Sequence, residues 1–222
     1  MISIIVPIYN DKKAFEKFIS QINKLQGDYE LIFVITNKDL YLIDEYKDYR
    51  FYVSKKGRSL QMNLGAKKAK GDIFLFLHAD SIYEDNILEE IEKSIKKSPA
   101  GCLKLYFDND RFMMRIGALL SRLRVKFRNI AFGDQGIFVT RKLFYDIGGF
   151  EEIPIMEDYR FSLDINKKGI KILQCNSKII TRSVRFEKGG MLKTGYNMKK
   201  LQKMYRKGVD PFEIAKLYED IR

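Results

Sequence analysis

The stretch Gly71-Asp72-Ile73-Phe74-Leu75-Phe76-Leu77-His78-Ala79-Asp80 decides how this chain is read. Ile73 to Leu77 is the clearest strand in the sequence, a short unbroken apolar run of the kind a strand covered on both faces requires. Gly71 closes the segment before it, and His78-Ala79-Asp80 sets a carboxylate at its mouth.

Upstream, Ile2 to Tyr9 is a second β-branched apolar run, stopping at Asn10-Asp11. Phe15, Phe18, Ile19, Ile22 and Leu25 then recur at helical spacing, with Asp11 placed to cap the first turn and Gly27 to end the helix. Tyr29 to Thr36 and the shorter Phe51 to Ser54 read as strands, and Ser59 to Lys70 as a helix. Downstream, Asn86 to Lys97 carries Ile87, Leu88, Ile91 and Ile95 on one helical face, and Leu103 to Phe107 reads as a strand. Arg111 to Arg128 is a basic segment without an acid. Gln135 to Thr140 reads as a strand, Met156 to Lys168 as a helix, and Ile170 to Gln174 as a strand. Met191 to Arg222 reads as a basic helical part broken at Gly208 to Pro211. This alternation predicts an α/β fold, a mostly parallel sheet flanked by helices, in a single domain.

The 222 residues, 45% of them hydrophobic, suffice for one substantial core. Lys and Arg number 41 against 29 Asp and Glu, a formal charge of +12, yet abundant Ile, Leu, Phe and Tyr exclude a disordered basic tail. The excess therefore concerns partners, because phosphorylated small molecules, anionic membrane surfaces and nucleic acid are all drawn to such a field. No recognised nucleic-acid motif is present, and acids at the strand ends would repel phosphates that lack a metal, so no nucleic-acid partner is expected. Cys102 and Cys175 fit neither a zinc motif nor a dense disulfide framework, which favours a reducing compartment. The apolar N-terminus has no charged n-region, and no run reaches the ~20 apolar residues of a membrane span. A cytoplasmic protein is expected, with peripheral attachment at the inner membrane face left open.

Ligands of open α/β sheets collect at the carboxyl ends of the strands. Those ends here carry Tyr9-Asn10-Asp11, Asn37-Lys38-Asp39, Gly57-Arg58 and His78-Ala79-Asp80, and later segments add Gly133-Asp134-Gln135 and Glu157-Asp158. Packing alone does not explain such a ring of small, polar and acidic residues. Mg²⁺ or Mn²⁺ takes one or two carboxylates and completes its shell with phosphates and water, a part open to Asp80. The same spacing serves to cap a helix beginning near Glu84. His78, the only histidine, either contacts a ribose or hydrogen-bonds a neighbouring loop. Gly57-Arg58 with Gln61 and Asn63 either offers N–H groups and a guanidinium to a phosphate or base edge, or is a surface arginine beside a turn. Glu157 and Asp158 fall in a first helical turn, where the macrodipole favours acids with or without chemistry.

Taken together, these residues resemble the family 2 glycosyltransferases, and most closely the selenodomain-associated or arsenosugar-biosynthesis subfamily. The resemblance rests on Ile4-Ile5-Val6-Pro7-Ile8-Tyr9-Asn10, on Gly57-Arg58 followed by Gln61-Met62-Asn63-Leu64-Gly65-Ala66, and on the stretch Gly71 to Asp80. It continues through Gly133-Asp134-Gln135-Gly136-Ile137-Phe138, Gly148-Gly149-Phe150 and Ile153-Pro154-Ile155-Met156-Glu157-Asp158. It implies a GT-A fold, a nucleoside-diphosphate sugar donor and a divalent cation. By position, Pro7, Tyr9 and Asn10 would line the nucleobase pocket with Asn37, Arg58 and Asn63 nearby. His78 stands where the family's Asp-any-Asp motif has its first acid, Ala79 follows, and Asp80 is the metal-binding second acid. Asp158 matches the acid that deprotonates the acceptor hydroxyl, with Glu157, Gly133, Asp134 and Gln135 on the acceptor side. Arg182 or Arg185 would face the diphosphate. Residues 1–107 would then form a nucleotide-binding half, 108–190 an acceptor and catalytic half, and 191–222 a helical tail.

One departure stands out. The family's Asp-Gly-Gly-Ser-any-Asp segment after strand two reads Thr36-Asn37-Lys38-Asp39-Leu40 here. A catalytically silent nucleotide-sugar binding module is therefore the rival from another class, and a nucleotidyltransferase of similar architecture the rival enzyme. The basic segments bring in an anionic membrane surface or a lipid-linked acceptor as partners, against a merely solvated basic face.

Overall fold

The computed structural model describes residues 1–183 and 190–221. The apolar run at the N-terminus forms β1 (Ile2–Pro7), and α1 (Lys12–Ile22) follows, capped by the Asp11 carboxylate on the Ala14 N–H at 2.9 Å. Then come β2 (Tyr29–Ile35), α2 (Tyr41–Glu45), β3 (Phe51–Val53), α3 (Arg58–Lys68) and β4 (Ile73–Phe76). The chain continues through β5 (Ile82–Tyr83), α4 (Ile87–Ile95), β6 (Ala100–Phe107), α5 (Phe112–Arg128), β7 (Ile137–Thr140) and α6 (Arg141–Asp146). It ends with α7 (Glu157–Lys167), β8 (Leu173–Thr181), α8 (Met191–Arg206) and α9 (Pro211–Ile221).

One eight-stranded sheet runs β3-β2-β1-β4-β7-β6-β8-β5. β1 pairs in parallel with β2 and β4, β2 with β3, and β6 with β8; β7 lies antiparallel between β4 and β6, and β5 antiparallel on β8. Both faces are covered, which is why the central strands read as continuous apolar runs. Ile4, Val6, Leu75 and Leu77 enter one core with Phe15 and Phe18 of α1 and Ile87, Leu88 and Ile91 of α4. Their alternate neighbours Ile5, Phe74 and Phe76 enter the other, with Met62 and Ala66 of α3, Phe144 of α6 and Phe161 of α7. A third cluster packs Leu201 and Ile214 of the tail against Met156 and Tyr159 at the start of α7.

Several expectations shift. The last long strand is Leu173–Thr181, beyond the predicted Ile170 to Gln174, and its inward positions Cys175, Ser177 and Ile179 alternate with exposed Asn176 and Lys178. A buried serine in place of an apolar residue hides that alternation; Ser177 Oγ donates to Asn86 Oδ1 at 2.8 Å. α1 stops at Ile22, and the chain turns through Lys24 and Leu25 before reaching Gly27. The basic segment at 111–128 is a helix over nearly its whole length. Both cysteines are buried free thiols. No helix among the described residues is long and apolar enough to cross a membrane.

Candidate active site

The topology gathers one edge. β1 to β4 are parallel, so Tyr9-Asn10, the turn Asn37–Asp39, Ser54 and His78-Ala79-Asp80 all emerge on the same side. β7 is antiparallel to β4, so the residues that precede it, the 3₁₀ turn Gly133–Gln135, lie on that edge as well.

Pro7 ends β1, half-buried, and Tyr9 follows it, 39% exposed, with the Lys38 and Lys56 ammonium groups 5.6 and 4.7 Å from its ring. Hydrogen bonding to Lys38, helped by the charges of both lysines, lowers the phenol pKa. Asn10 adopts a left-handed φ of 51° and its N–H donates to Asp39 Oδ1 at 2.7 Å. Asp39 is fully buried and also accepts from the N–H and hydroxyl of Thr36 at 3.3 and 2.8 Å, closing a capping box. The loop that departs from the family pattern is thus tied to the end of β1, leaving Asn37 and Lys38 exposed at the rim. Beneath it, buried Gln61 donates its amide to the carbonyls of Ile8 and Val34 at 2.8 and 2.7 Å, clamping β1 to β2.

On the other side of the edge, Asp158 is held by two N–H groups: Gly133 donates to Oδ2 at 2.8 Å and Tyr159 to Oδ1 at 2.6 Å. A Cβ on Gly133 would lie 3.1 Å from His78 Nε2 and 3.5 Å from Asp158 Oδ2, so histidine and carboxylate flank the same glycine. His78 Nε2 is buried and, among the described residues, has no hydrogen-bond partner. Burial, reinforced by the Arg58 charge, pulls the imidazole down to about 3, so the ring is neutral at physiological pH. Glu157 is buried and meets Arg58 Nη1 at 3.2 Å, with Arg58 itself half-exposed. Burial and the adjacent Asp158 carboxylate push Glu157 upward against the pull of Arg58. Met156, just before these acids, sits at φ 70° in the left-handed region. For a large side chain that conformation costs roughly 1–3 kcal/mol, and such strain clusters at functional sites.

Asp80 is exposed two residues beyond His78, in a turn closed by the Ser81 N–H on the His78 carbonyl at 3.1 Å. Its alternative part as a helix cap does not hold, because α4 begins at Ile87 behind Asn86. Ala79 packs against the core. Asn63 has both ends of its amide on the Phe150 backbone, at 2.8 and 3.0 Å, and so fastens the Gly148-Gly149-Phe150 loop. Gln135 is fully buried and fastens its own turn, accepting from Arg124 at 2.6 Å and from the Phe132 N–H at 3.1 Å. Asp134 lies half-buried beside it. Arg182 stands exposed after β8, and Arg185 lies outside the described residues. Arg124 went unnoticed in the sequence, one cation in a basic segment, yet its guanidinium lies 3.9 Å from the centre of the Phe132 ring and holds the turn that carries Gly133. Asp39 was legible only through the Thr-any-any-Asp spacing of a capping box.

Among the described residues no three His, Cys, Asp or Glu side chains form a metal cage. The donor set instead fits a cation completed by substrate, since Mg²⁺ and Mn²⁺ sites use one or two carboxylates plus phosphate oxygens. Asp80 would supply such a carboxylate, at an edge that also presents the Arg58, Lys38 and Lys56 charges.

The fold is of the GT-A glycosyltransferase type. The mannosyltransferase PcManGT from Pyrobaculum calidifontis, solved in complex with GDP-Man and Mn²⁺, superposes with a TM-score of 0.63 at 16% identity, over 90% of this chain and 64% of its own. S. aureus TarS 1-349 in complex with UDP-GlcNAc gives a TM-score of 0.60 at 18% identity, over 82% of this chain and 58% of its own. Residues 3–148 match the sequence model of glycosyl transferase family 2, and the chain belongs to that family. An uncharacterized glycosyltransferase of Haemophilus influenzae is 26% identical over 186 residues, 74% of this chain. The chain spans 62% of that relative's length.

Proposed function

We propose that this chain moves a sugar from a nucleoside-diphosphate sugar to a hydroxyl acceptor in a single inverting displacement. The observation that carries the reading is the meeting of His78 and Asp158 at Gly133, on the sheet edge where Asp80 emerges. Tyr9, Asn10, Asn37 and Pro7 receive the nucleobase; Lys38, Lys56 and Arg58 draw in the diphosphate, with Arg182 and Arg185 as further cations. Asp80 would hold a divalent cation, which would supply positive charge to the diphosphate. His78, neutral and with an unclaimed Nε2, offers a hydrogen bond to the donor. Asp158, oriented by the Gly133 and Tyr159 N–H groups, takes the acceptor proton as the acceptor oxygen bonds to the anomeric carbon. The bond from that carbon to the phosphate oxygen breaks, and the nucleoside diphosphate leaves. Glu157 and Arg58 hold the start of α7 in place, and Asp134 borders the acceptor side.

The division into a donor half (1–107), an acceptor half (108–190) and a helical tail (191–222) belongs to the same reading, as does membership of the arsenosugar-biosynthesis-like subfamily. The relatives support the donor class, since nucleotide sugars are what TarS and PcManGT were solved with. A thermal-shift panel of UDP- and GDP-sugars, with and without Mn²⁺, tests it. One class of donor raises the unfolding midpoint in the presence of Mn²⁺, by about 2.7 kcal/mol of stabilisation at a hundred times Kd. A panel in which no nucleotide sugar moves the midpoint would overturn the reading.

A further inference from the structure

α5 turns its larger apolar face away from the protein. Its buried side is Met114, Ala118 and Val125. Phe112, Leu119, Leu120 and Phe127 form a separate stripe at helical spacing and are 74%, 47%, 58% and 73% exposed. Scattered exposed apolar residues need no explanation, but a stripe along a helix of about 25 Å does. Exposed cations border it: Arg111, Arg115, Lys126 and Arg128, in a segment with no acid from Arg111 to Arg128. The two inward arginines are occupied elsewhere, Arg122 on the Tyr106 hydroxyl at 2.7 Å and Arg124 on Gln135.

At the C-terminal end of the stripe a groove of about 690 Å³ opens, lined among others by Lys104, Lys126, Phe127, Asn129, Lys171 and Gln174. The Gln174 amide nitrogen is buried and, among the described residues, unpartnered. Three lysines and an unclaimed amide donor suit a phosphate ester beside an apolar surface.

We propose that α5 docks on an anionic bilayer surface, its Phe and Leu side chains entering the headgroup boundary while the lysine groove takes lipid phosphates. Amphipathic helices with aromatic and Leu residues on one face and Lys and Arg around it bind in this manner. A second copy of the chain is the poorer occupant, because a two-fold contact through this face would set its cationic border against itself. The inference does not depend on glycosyl transfer.

Co-sedimentation of the full chain at physiological salt, with vesicles of phosphatidylcholine and phosphatidylglycerol against pure phosphatidylcholine, tests the proposal. Wild type is expected on the anionic vesicles only. F112S/L120S/F127S should lose at least ~tenfold in partitioning, and R115E/K126E a similar amount at about fivefold per cation. Both should keep the wild-type unfolding midpoint in the absence of vesicles, which separates loss of docking from loss of fold. Absence of wild-type binding to anionic vesicles, or variants that bind as wild type does, would overturn the proposal. So would a wild-type dimer in sedimentation velocity that F112S/L120S/F127S dissolves.

Discussion

Asp158 is fixed by the backbone, with one oxygen on the Gly133 N–H and the other on the Tyr159 N–H at the start of its own helix. His78 shares that glycine, and its lowered pKa has a measurable consequence. The folded ring, held at about 3, stays neutral while the unfolded chain takes up a proton as the pH falls through 6.5. Stability therefore declines from about pH 6.5 downward, and His78→Asn removes that part of the decline. The wild type should lose about 1 kcal/mol relative to His78→Asn between pH 7.5 and 5.5 in denaturant titrations; a constant difference would show that the ring titrates normally. Asp80→Ala should abolish the metal dependence of UDP or GDP binding in calorimetry, and equal affinities with and without Mn²⁺ in the wild type would remove Asp80 from the site. At this scale the sequence showed which residues are polar at strand ends. It did not show that Asn63 and Gln135 turn inward, because an amide that serves a loop and one that serves a ligand look alike until their partners are known.

Among the elements, α3 carries much of the positioning. Gly65 allows it to lie on β1, where an added Cβ would come within 2.4 Å of Ile5 Cγ2. Gln61 joins β1 to β2 below the part of the edge that carries Tyr9 and Asn10. Gln61→Ala strands the buried Ile8 carbonyl, while the Val34 carbonyl keeps the Ile8 N–H at 2.9 Å, so a loss of about 1–3 kcal/mol is expected in chemical denaturation, with weaker nucleotide binding as the Ile8 to Asn10 turn loosens. A variant as stable as wild type would refute that clamp. The long apolar strands and the α1 and α4 faces were legible because each repeats its apolar residues at one period. β8 was not, since Cys175 and Ser177 fill inward positions that an apolar pattern would have marked. α5 was visible only as charge, because its larger apolar residues Phe112, Leu119, Leu120 and Phe127 point to the surface while Met114, Ala118 and Val125 face the core.

Across the whole molecule, the sheet order converts distance in sequence into proximity. β7 runs against its neighbours, so Gly133 precedes its strand yet joins residues that follow theirs, and α7 then delivers Asp158 to it. The third cluster seats the tail against Met156 and Tyr159, bracing the strained entry to α7. Individual motifs in the sequence pointed to the edge, whereas the antiparallel insertion that closes it depends on pairings no local pattern records. The most direct test is the steady-state release of nucleoside diphosphate from a nucleotide sugar that binds, in Mn²⁺, by the wild type and by Asp158→Asn. Release by the wild type that falls ~10²- to 10⁴-fold in the variant, at unchanged nucleotide affinity, is the predicted result. Equal release by both proteins, or none by the wild type from any nucleotide sugar it binds, would contradict it.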